Sequence, residues 1–154
     1  MTSNINQQDR RILQRLQNNC RQPIADIGEQ IGMSTSACHR RIKQLEENGL
    51  IRNYVAQLDA RKLGYAMDVM VEISLISQSD DALTRFEAAI AQAPEILECH
   101  LMAGDADYLL RFMATGLEDY ERLHREVVSR LPGISRVKSN IILRTVKRAQ
   151  GLNI

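Results

Sequence analysis

Apolar residues recur along this chain with two different periods. From Asn6 to Asn48 the period is helical: Ile12, Leu13 and Leu16 share one face of a helix that Asn6 caps and that ends near Asn18, with Arg10, Arg11 and Arg15 elsewhere on it. Pro23 suits the first turn of a second helix, where its missing N–H costs nothing, and Ile24, Ile27 and Ile31 follow at helical spacing. Gly28 inside that helix reads as a weak spot, worth roughly 1 kcal/mol against alanine. A third helix runs from the Ser34 cap to about Glu47 and stops at Asn48-Gly49. Only Gly32-Met33 separates the second and third helices, so the pair reads as a helix-turn-helix.

Beyond Gly49 the period shortens to two. Ile51 to Leu58 reads as a strand, followed by a short link through Leu63-Gly64. Val69, Val71, Ile73 and Leu75 then alternate with Glu72 and Ser74 in a second strand. Asp80 or Asp81 caps a helix with Leu83, Phe86 and Ile90 inward, ending before Pro94. Strands at about Ile96 to Met102 and Asp107 to Ala114 flank the tight turn Gly104-Asp105-Ala106. A further helix points Leu117, Tyr120, Leu123 and Val127 inward and ends at Leu131-Pro132-Gly133, and Arg136 to Val146 is the last strand. This order is the split βαβ, ferredoxin-like arrangement.

The expected fold class is therefore α+β. An N-terminal, winged-helix-like helix-turn-helix domain (1–50) joins through a linker strand or hinge (51–66) to a ferredoxin-like βαββαβ sandwich domain (67–154). Both helices of that sandwich cover one sheet face. Met70 and Ile76, Leu109 and Met113, and Ile142 and Val146 put apolar groups on the other, which suits a homodimer interface.

Composition narrows the partners. The 154 residues carry 20 Lys and Arg against 19 Asp and Glu, so any affinity for nucleic acid comes from local clustering and not from the mean field. Cys20, Cys38 and Cys99 are odd in number and widely spaced, which argues against a disulfide framework or a CxxC metal site and fits a reducing compartment. No apolar run approaches the ~18 residues of a membrane span, and Met1 to Gln8 is polar where a signal peptide is apolar. A cytoplasmic protein without membrane association is expected.

The local clustering is in the third helix. Ser34 to Lys43 contains Arg40, Arg41 and Lys43 with no acidic residue. At 100° per residue Cys38, Ile42 and Leu45 fall on one side and Ser36, Arg40 and Lys43 on the other, flanked by His39 and Gln44. The first stripe packs; the second is free to enter a groove of double-stranded DNA. Arginine forms the bidentate pair with guanine, so Arg40 is the candidate for base readout, and Lys43 and Arg41 for phosphate contacts. Arg41 projects nearer the apolar side and reads equally as a structural flank. Ser34, Thr35 and Ser36 offer hydroxyls at the helix N-terminus, and His39 is a surface or DNA-side group.

A helix-turn-helix, this sheet unit and the segment Cys99-His100-Leu101-Met102-Ala103-Gly104-Asp105-Ala106-Asp107-Tyr108-Leu109-Leu110 together resemble the Lrp/AsnC (feast/famine) transcriptional regulators. Asp9-Arg10-Arg11-Ile12-Leu13, the Cys38 to Leu45 block, Gly49-Leu50-Ile51 with Tyr54, and Leu131-Pro132-Gly133 extend the resemblance over nearly the whole chain. It implies a bacterial or archaeal, nucleoid-associated regulator of transcription that dimerises through its C-terminal unit, assembles to tetramers or octamers, and responds to amino acids. It also implies that Thr35, Ser36, His39, Arg40, Arg41 and Lys43 lie on the DNA-facing helix. Thr35 and Ala37 stand where the family commonly has prolines, and His39 where it commonly has leucine. These departures bear on the operator sequence, not on the mode of binding.

A free amino acid presents a carboxylate and an ammonium, so its pocket needs exposed backbone N–H groups and a carboxylate. Gly104-Asp105-Ala106-Asp107-Tyr108 offers both, and the resemblance implies that effectors bind around this turn between subunits. Gly104, Asp105, Asp107 and Tyr108 are thus effector candidates, with Leu101 and Leu117 as apolar walls and Asn140 as a further lining residue. The plainer reading is a hairpin turn whose aspartates bond local backbone. Strand alternation sends Cys99 and His100 to opposite faces, so no metal ligand set is expected. His124 is a helix-surface residue, and no GxSxG, HExxH or Walker segment occurs, so the chain is not read as an enzyme and no cofactor beyond an amino acid effector is expected. Two other functions fit the same pattern: a metabolite sensor or small enzyme on a ferredoxin-like sheet, and an architectural DNA-binding protein.

Overall fold

The computed structural model describes residues 5–148 and 151–154. The chain divides into two compact units, Met1–Gln57 with Lys147–Ile154, and Leu58–Val146.

In the first unit α1 spans Gln7–Asn18, α2 Ile24–Ile31 and α3 Thr35–Glu47. Asn6 caps α1 through a reciprocal box, its Oδ1 accepting from Asp9 N–H (2.8 Å) while Asp9 Oδ2 accepts from Asn6 N–H (3.1 Å). Pro23 sits one place before α2 as its cap, and Gly32 ends that helix at φ +73°, a left-handed conformation that favours glycine. Ile12, Ile27, Ile31, Cys38, Ile42 and Leu45 form the buried core, so the inward stripe expected of the third helix is the one that packs. Gly28 is more than a weak spot. It is buried, and a Cβ there would lie 2.8 Å from the Met33 carbonyl oxygen, because the turn folds back to bond Met33 N–H to Gly28 O.

The expected strand at Ile51 to Leu58 does not form. A strand needs a ladder, and the sheet described here contains only strands of the second unit. The segment is tied to α3 by the Tyr54 hydroxyl, which donates to Glu46 (2.8 Å). Residues Lys147–Ile154, expected within the second domain, group instead with the first unit. The cause is local: Gln17 of α1 bonds both the Leu152 carbonyl (3.1 Å) and the Leu152 N–H (2.5 Å), and Gln14 donates to the Ile154 carbonyl.

The second unit runs β1 (Met67–Leu75), α4 (Asp80–Ala91), β2 (Ile96–Leu101), β3 (Tyr108–Ala114), α5 (Leu117–Glu126), a 3-10 turn at Val128–Arg130, and β4 (Ile134–Ile141). The sheet order is β2-β3-β1-β4, with every pair antiparallel. Ser79 caps α4, one residue before the aspartates expected to do so, because its hydroxyl accepts from Ala82 N–H. β4 begins two residues earlier and ends five residues earlier than its apolar pattern suggests. Its pairing with β1 runs from Leu75 opposite Ile134 to Val69 opposite Ile141, which fixes both ends. Val69, Val71, Ile73, Leu75, Phe86, Tyr108, Leu110, Phe112 and Leu123 fill the core between sheet and helices. Leu117, expected inward, is 64% exposed because it is the first residue of α5 and precedes the buried stripe.

The other sheet face is not simply apolar. Met70, Leu109, Met113 and Ile142 are half-buried on it. Between them Arg111 forks onto Asp68 (2.9 Å to each oxygen) and reaches Glu98 (2.7 Å), and Lys138 and Asn140 both donate to Glu72. No described helix is long and apolar enough to cross a membrane.

Candidate functional site

The outward face of α3 is built as its wheel suggests. Ser36, His39, Arg40, Lys43 and Gln44 are exposed, while Cys38, Ile42 and Leu45 are buried beneath. The Ser34 hydroxyl is engaged as the cap, accepting from Ala37 N–H (3.3 Å), and lies 3.3 Å from the Ser36 hydroxyl. Thr35 opens the helix and is exposed. With no acidic residue in its first turn, this helix start presents the N–H groups that the Ser34 cap leaves over to an anion without competition from a side-chain carboxylate.

The three cations differ. Lys43 lies 3.7 Å from Glu47 in an exposed pair, which costs little to open. Arg41 is forked onto the two carboxylate oxygens of Asp9, with Nη1 near Gln44 Oε1 (3.4 Å). Arg40 is therefore the outward cation with no ion-pair partner among the described residues. Of the two readings of Arg41, the geometry matches the structural flank. Asp9 is almost wholly buried, and the Arg41 hydrogen bond, against the opposing effect of burial, holds its carboxyl below the usual carboxylate range. Sequence reasoning missed Asp9, although the Asn6-x-x-Asp9 spacing of a capping box was there to find it.

The turn of the second unit is more divided. Met102 N–H bonds Asp107 O (2.8 Å), closing a loop in which Gly104 and Asp105 are exposed, and Leu101 beside it is 60% exposed. Gly104 does not lie in the left-handed region, and a Cβ there would meet nothing within 4 Å, so neither backbone strain nor packing within the chain requires glycine. Asp107 and Tyr108 are not open to a ligand. The Asp107 carboxylate is buried and accepts from Leu75 N–H (2.6 Å) and Gln78 Nε2 (2.6 Å). The Tyr108 ring packs on Phe86 with centroids 4.5 Å apart, and its hydroxyl donates to Glu87 (2.7 Å). Burial first, then Glu87, pushes that hydroxyl's pKa upward. The partners of both side chains lie in β1, the segment after it and α4, so each is held by its own chain, though not by the local backbone of the turn that the plainer reading expects.

Two further candidates lie elsewhere within the chain. Leu117 follows the far end of β3, a strand length of roughly 20 Å from the turn. Asn140 bonds Glu72 (2.9 Å) on the open sheet face of β4, whereas Leu101 pairs with Tyr108 on the helix-covered face at the opposite edge. Cys99 and His100 stand opposite Leu110 and Leu109, hence on opposite faces of β2.

Comparison with known proteins places both units. A model described as winged helix-turn-helix DNA-binding matches residues 5–52, and one described as Lrp/AsnC ligand binding domain matches residues 68–152. The chain is 35% identical to the leucine-responsive regulatory protein of Salmonella typhimurium, over 95% of this chain and 89% of that protein. An AsnC family transcriptional regulator from Agrobacterium tumefaciens superposes with a TM-score of 0.89 at 34% identity, covering 96% of this chain and 95% of that one. A transcriptional regulator of Neisseria meningitidis, solved as its complex with L-methionine, gives the same TM-score and coverage at 29% identity.

Proposed function

This chain belongs to the Lrp/AsnC family of transcriptional regulators, and from that premise we propose that it reads particular operators through α3 and responds to a small amino acid-like effector held between subunits. The observation that carries the first part is the α3 face: Arg40 unpaired and outward, Lys43 beside it, and Thr35 and Ser36 at a helix start without acidic neighbours. Arg40 reads a base edge and Lys43 holds phosphate, with Ser34, Thr35, Ser36 and His39 near the backbone. Two subunits place their α3 helices in successive major grooves of a near-palindromic site.

The effector part rests on less. The Gly104–Asp105 loop is exposed, with open space above Gly104 and the apolar Leu101 beside it. Asp105 is the carboxylate available to an ammonium, since Asp107 is occupied. Leu117 and Asn140 join this loop only if another subunit supplies them. The L-methionine complex of the Neisseria relative and the name of the Salmonella relative support amino acid chemistry. Effector binding acts through a difference in affinity between alternative assemblies of the homodimer, such as tetramer and octamer.

The test is titration of the chain into DNA from upstream of its own gene, at fixed salt, with excess nonspecific competitor, with and without an amino acid mixture. Competitor-resistant binding that shifts with the mixture is expected. Binding that ignores the mixture removes the effector reading and leaves the DNA reading intact. Footprints without preferred register turn the chain into an architectural binder, and ligand binding without DNA affinity turns it into a sensor.

A further inference from the structure

Arg41 follows Arg40 by one residue, about 100° of helix rotation, toward the packed side of α3. Its guanidinium forks onto both oxygens of Asp9, the Nη2 contact being 2.8 Å. The Asp9 side chain is 4% exposed and that of Arg41 35%, so the acid end is dry and the basic end half-covered. The same carboxylate accepts the Asn6 N–H, so one buried group joins the cap of α1 to the middle of α3. Cys38, Ile42 and Leu45 hold α3 against the core, but apolar packing is non-directional. A planar fork on a carboxylate is directional and fixes rotation as well as distance. A base contact tolerates only about 0.5 Å or 10–20° of error.

We propose that the Asp9–Arg41 pair is a positioning device that sets the roll of α3, and with it the approach of Arg40 to a base edge. Arg41 itself makes no phosphate contact. This rests on the reading of α3 as the DNA-facing helix.

The experiment uses the full chain, as wild type and as Arg40→Ala, Lys43→Ala, Arg41→Gln and Arg41→Lys. Binding is measured by fluorescence anisotropy across a salt series, below the melting range, on a random-sequence duplex and on duplexes that the wild type selects from a random library. Lys43→Ala flattens the slope of log K against log salt by about one, as a lost phosphate contact does, and Arg40→Ala lowers the preference for selected over random duplexes about tenfold, as a lost base contact does. Arg41→Gln leaves that slope unchanged and lowers the preference for selected over random duplexes about tenfold, the scale of one lost base contact. Arg41→Lys lowers it equally, because an ammonium restores the charge but not the fork. If Arg41→Gln does not fold, Arg41→Lys decides alone.

A slope that flattens in Arg41→Gln as it does in Lys43→Ala overturns the proposal, as does wild-type preference in Arg41→Lys. Both outcomes leave the DNA-facing reading standing. A wild-type slope in Lys43→Ala together with wild-type preference in Arg40→Ala removes α3 from the groove, and then both readings fall together.

Discussion

Among the described residues, the buried charged or polar ones are Asp9 in the first unit and Asp107 in the second, 3% and 8% exposed. They are satisfied in opposite ways. Asp9 faces a guanidinium and keeps one helix oriented on another. Asp107 faces neutral donors, the Leu75 N–H and the Gln78 amide, and pins the end of β1 and the segment after it to the start of β3. A buried carboxylate needs its lone pairs filled wherever it lies. What differs is whether the donors carry charge, and therefore what removing one partner leaves behind. The comparison also shows why an aspartate beside a glycine turn is an ambiguous ligand candidate: Asp105 is exposed, whereas Asp107, two residues on, spends both oxygens on its own chain.

The largest expected effect is on the charged side. Asp9→Ala strands the half-covered Arg41 guanidinium and deletes the capping box, and should cost about 2–4 kcal/mol. Urea unfolding followed by helical circular dichroism measures it. Asp9→Asn separates charge from shape. The Arg41 bond holds the Asp9 carboxyl below its ordinary 3.8, so ionised Asp9 stabilises the fold above that value. The stability gap between wild type and Asp9→Asn should be flat from about pH 7 to pH 5 and should narrow below about pH 4, as protons bind first in the unfolded chain. A gap that widens on acidification reverses the assigned sign.

Asp107→Ala should come next, at about 1–3 kcal/mol, because it leaves the Leu75 N–H buried without an acceptor but strands no charge. If it proves costlier than Asp9→Ala, charged and neutral partners do not differ as argued. Gly28→Ala sharpens the picture of the first unit. Helix propensity alone makes this substitution stabilising by roughly 1 kcal/mol. The Met33 carbonyl 2.8 Å from the new Cβ makes it destabilising, by about 1–2 kcal/mol.

That reversal marks where the sequence was legible. The three helices, the Cys38, Ile42 and Leu45 stripe, the αβ order of the second unit and the outward Arg40 all follow from local period, since each depends on neighbours within a turn or a strand. The partner of Arg41 lies 32 residues away, and a helical wheel gives a direction without saying what waits there. Gly28, Asp107 and the ends of β4 fail for the same reason: a close approach, a buried acceptor and a register are properties of two segments at once. The Ile51 to Leu58 segment has the pattern of a strand and no ladder among the described residues. Leu117 has the right residue type for the inward stripe and sits one turn too early to join it.

The smallest expected effect on stability is at Asp105, and it bears most directly on the loop. Asp105 is exposed, so Asp105→Asn should leave the unfolding free energy within about 0.5 kcal/mol of wild type. Asp107→Asn, at the same turn, loses one of its two acceptor oxygens and should cost about 1 kcal/mol. A ligand that binds only the folded state raises its melting temperature by mass action. Wild type should therefore be stabilised by an amino acid mixture, Asp105→Asn should not, and Asp107→Asn should keep the shift from its lower starting point. If instead Asp107→Asn loses the shift while Asp105→Asn retains it, the ammonium is read through the buried carboxylate. The loop must then open to admit its ligand, and the contrast between the two aspartates becomes one of access and not of role.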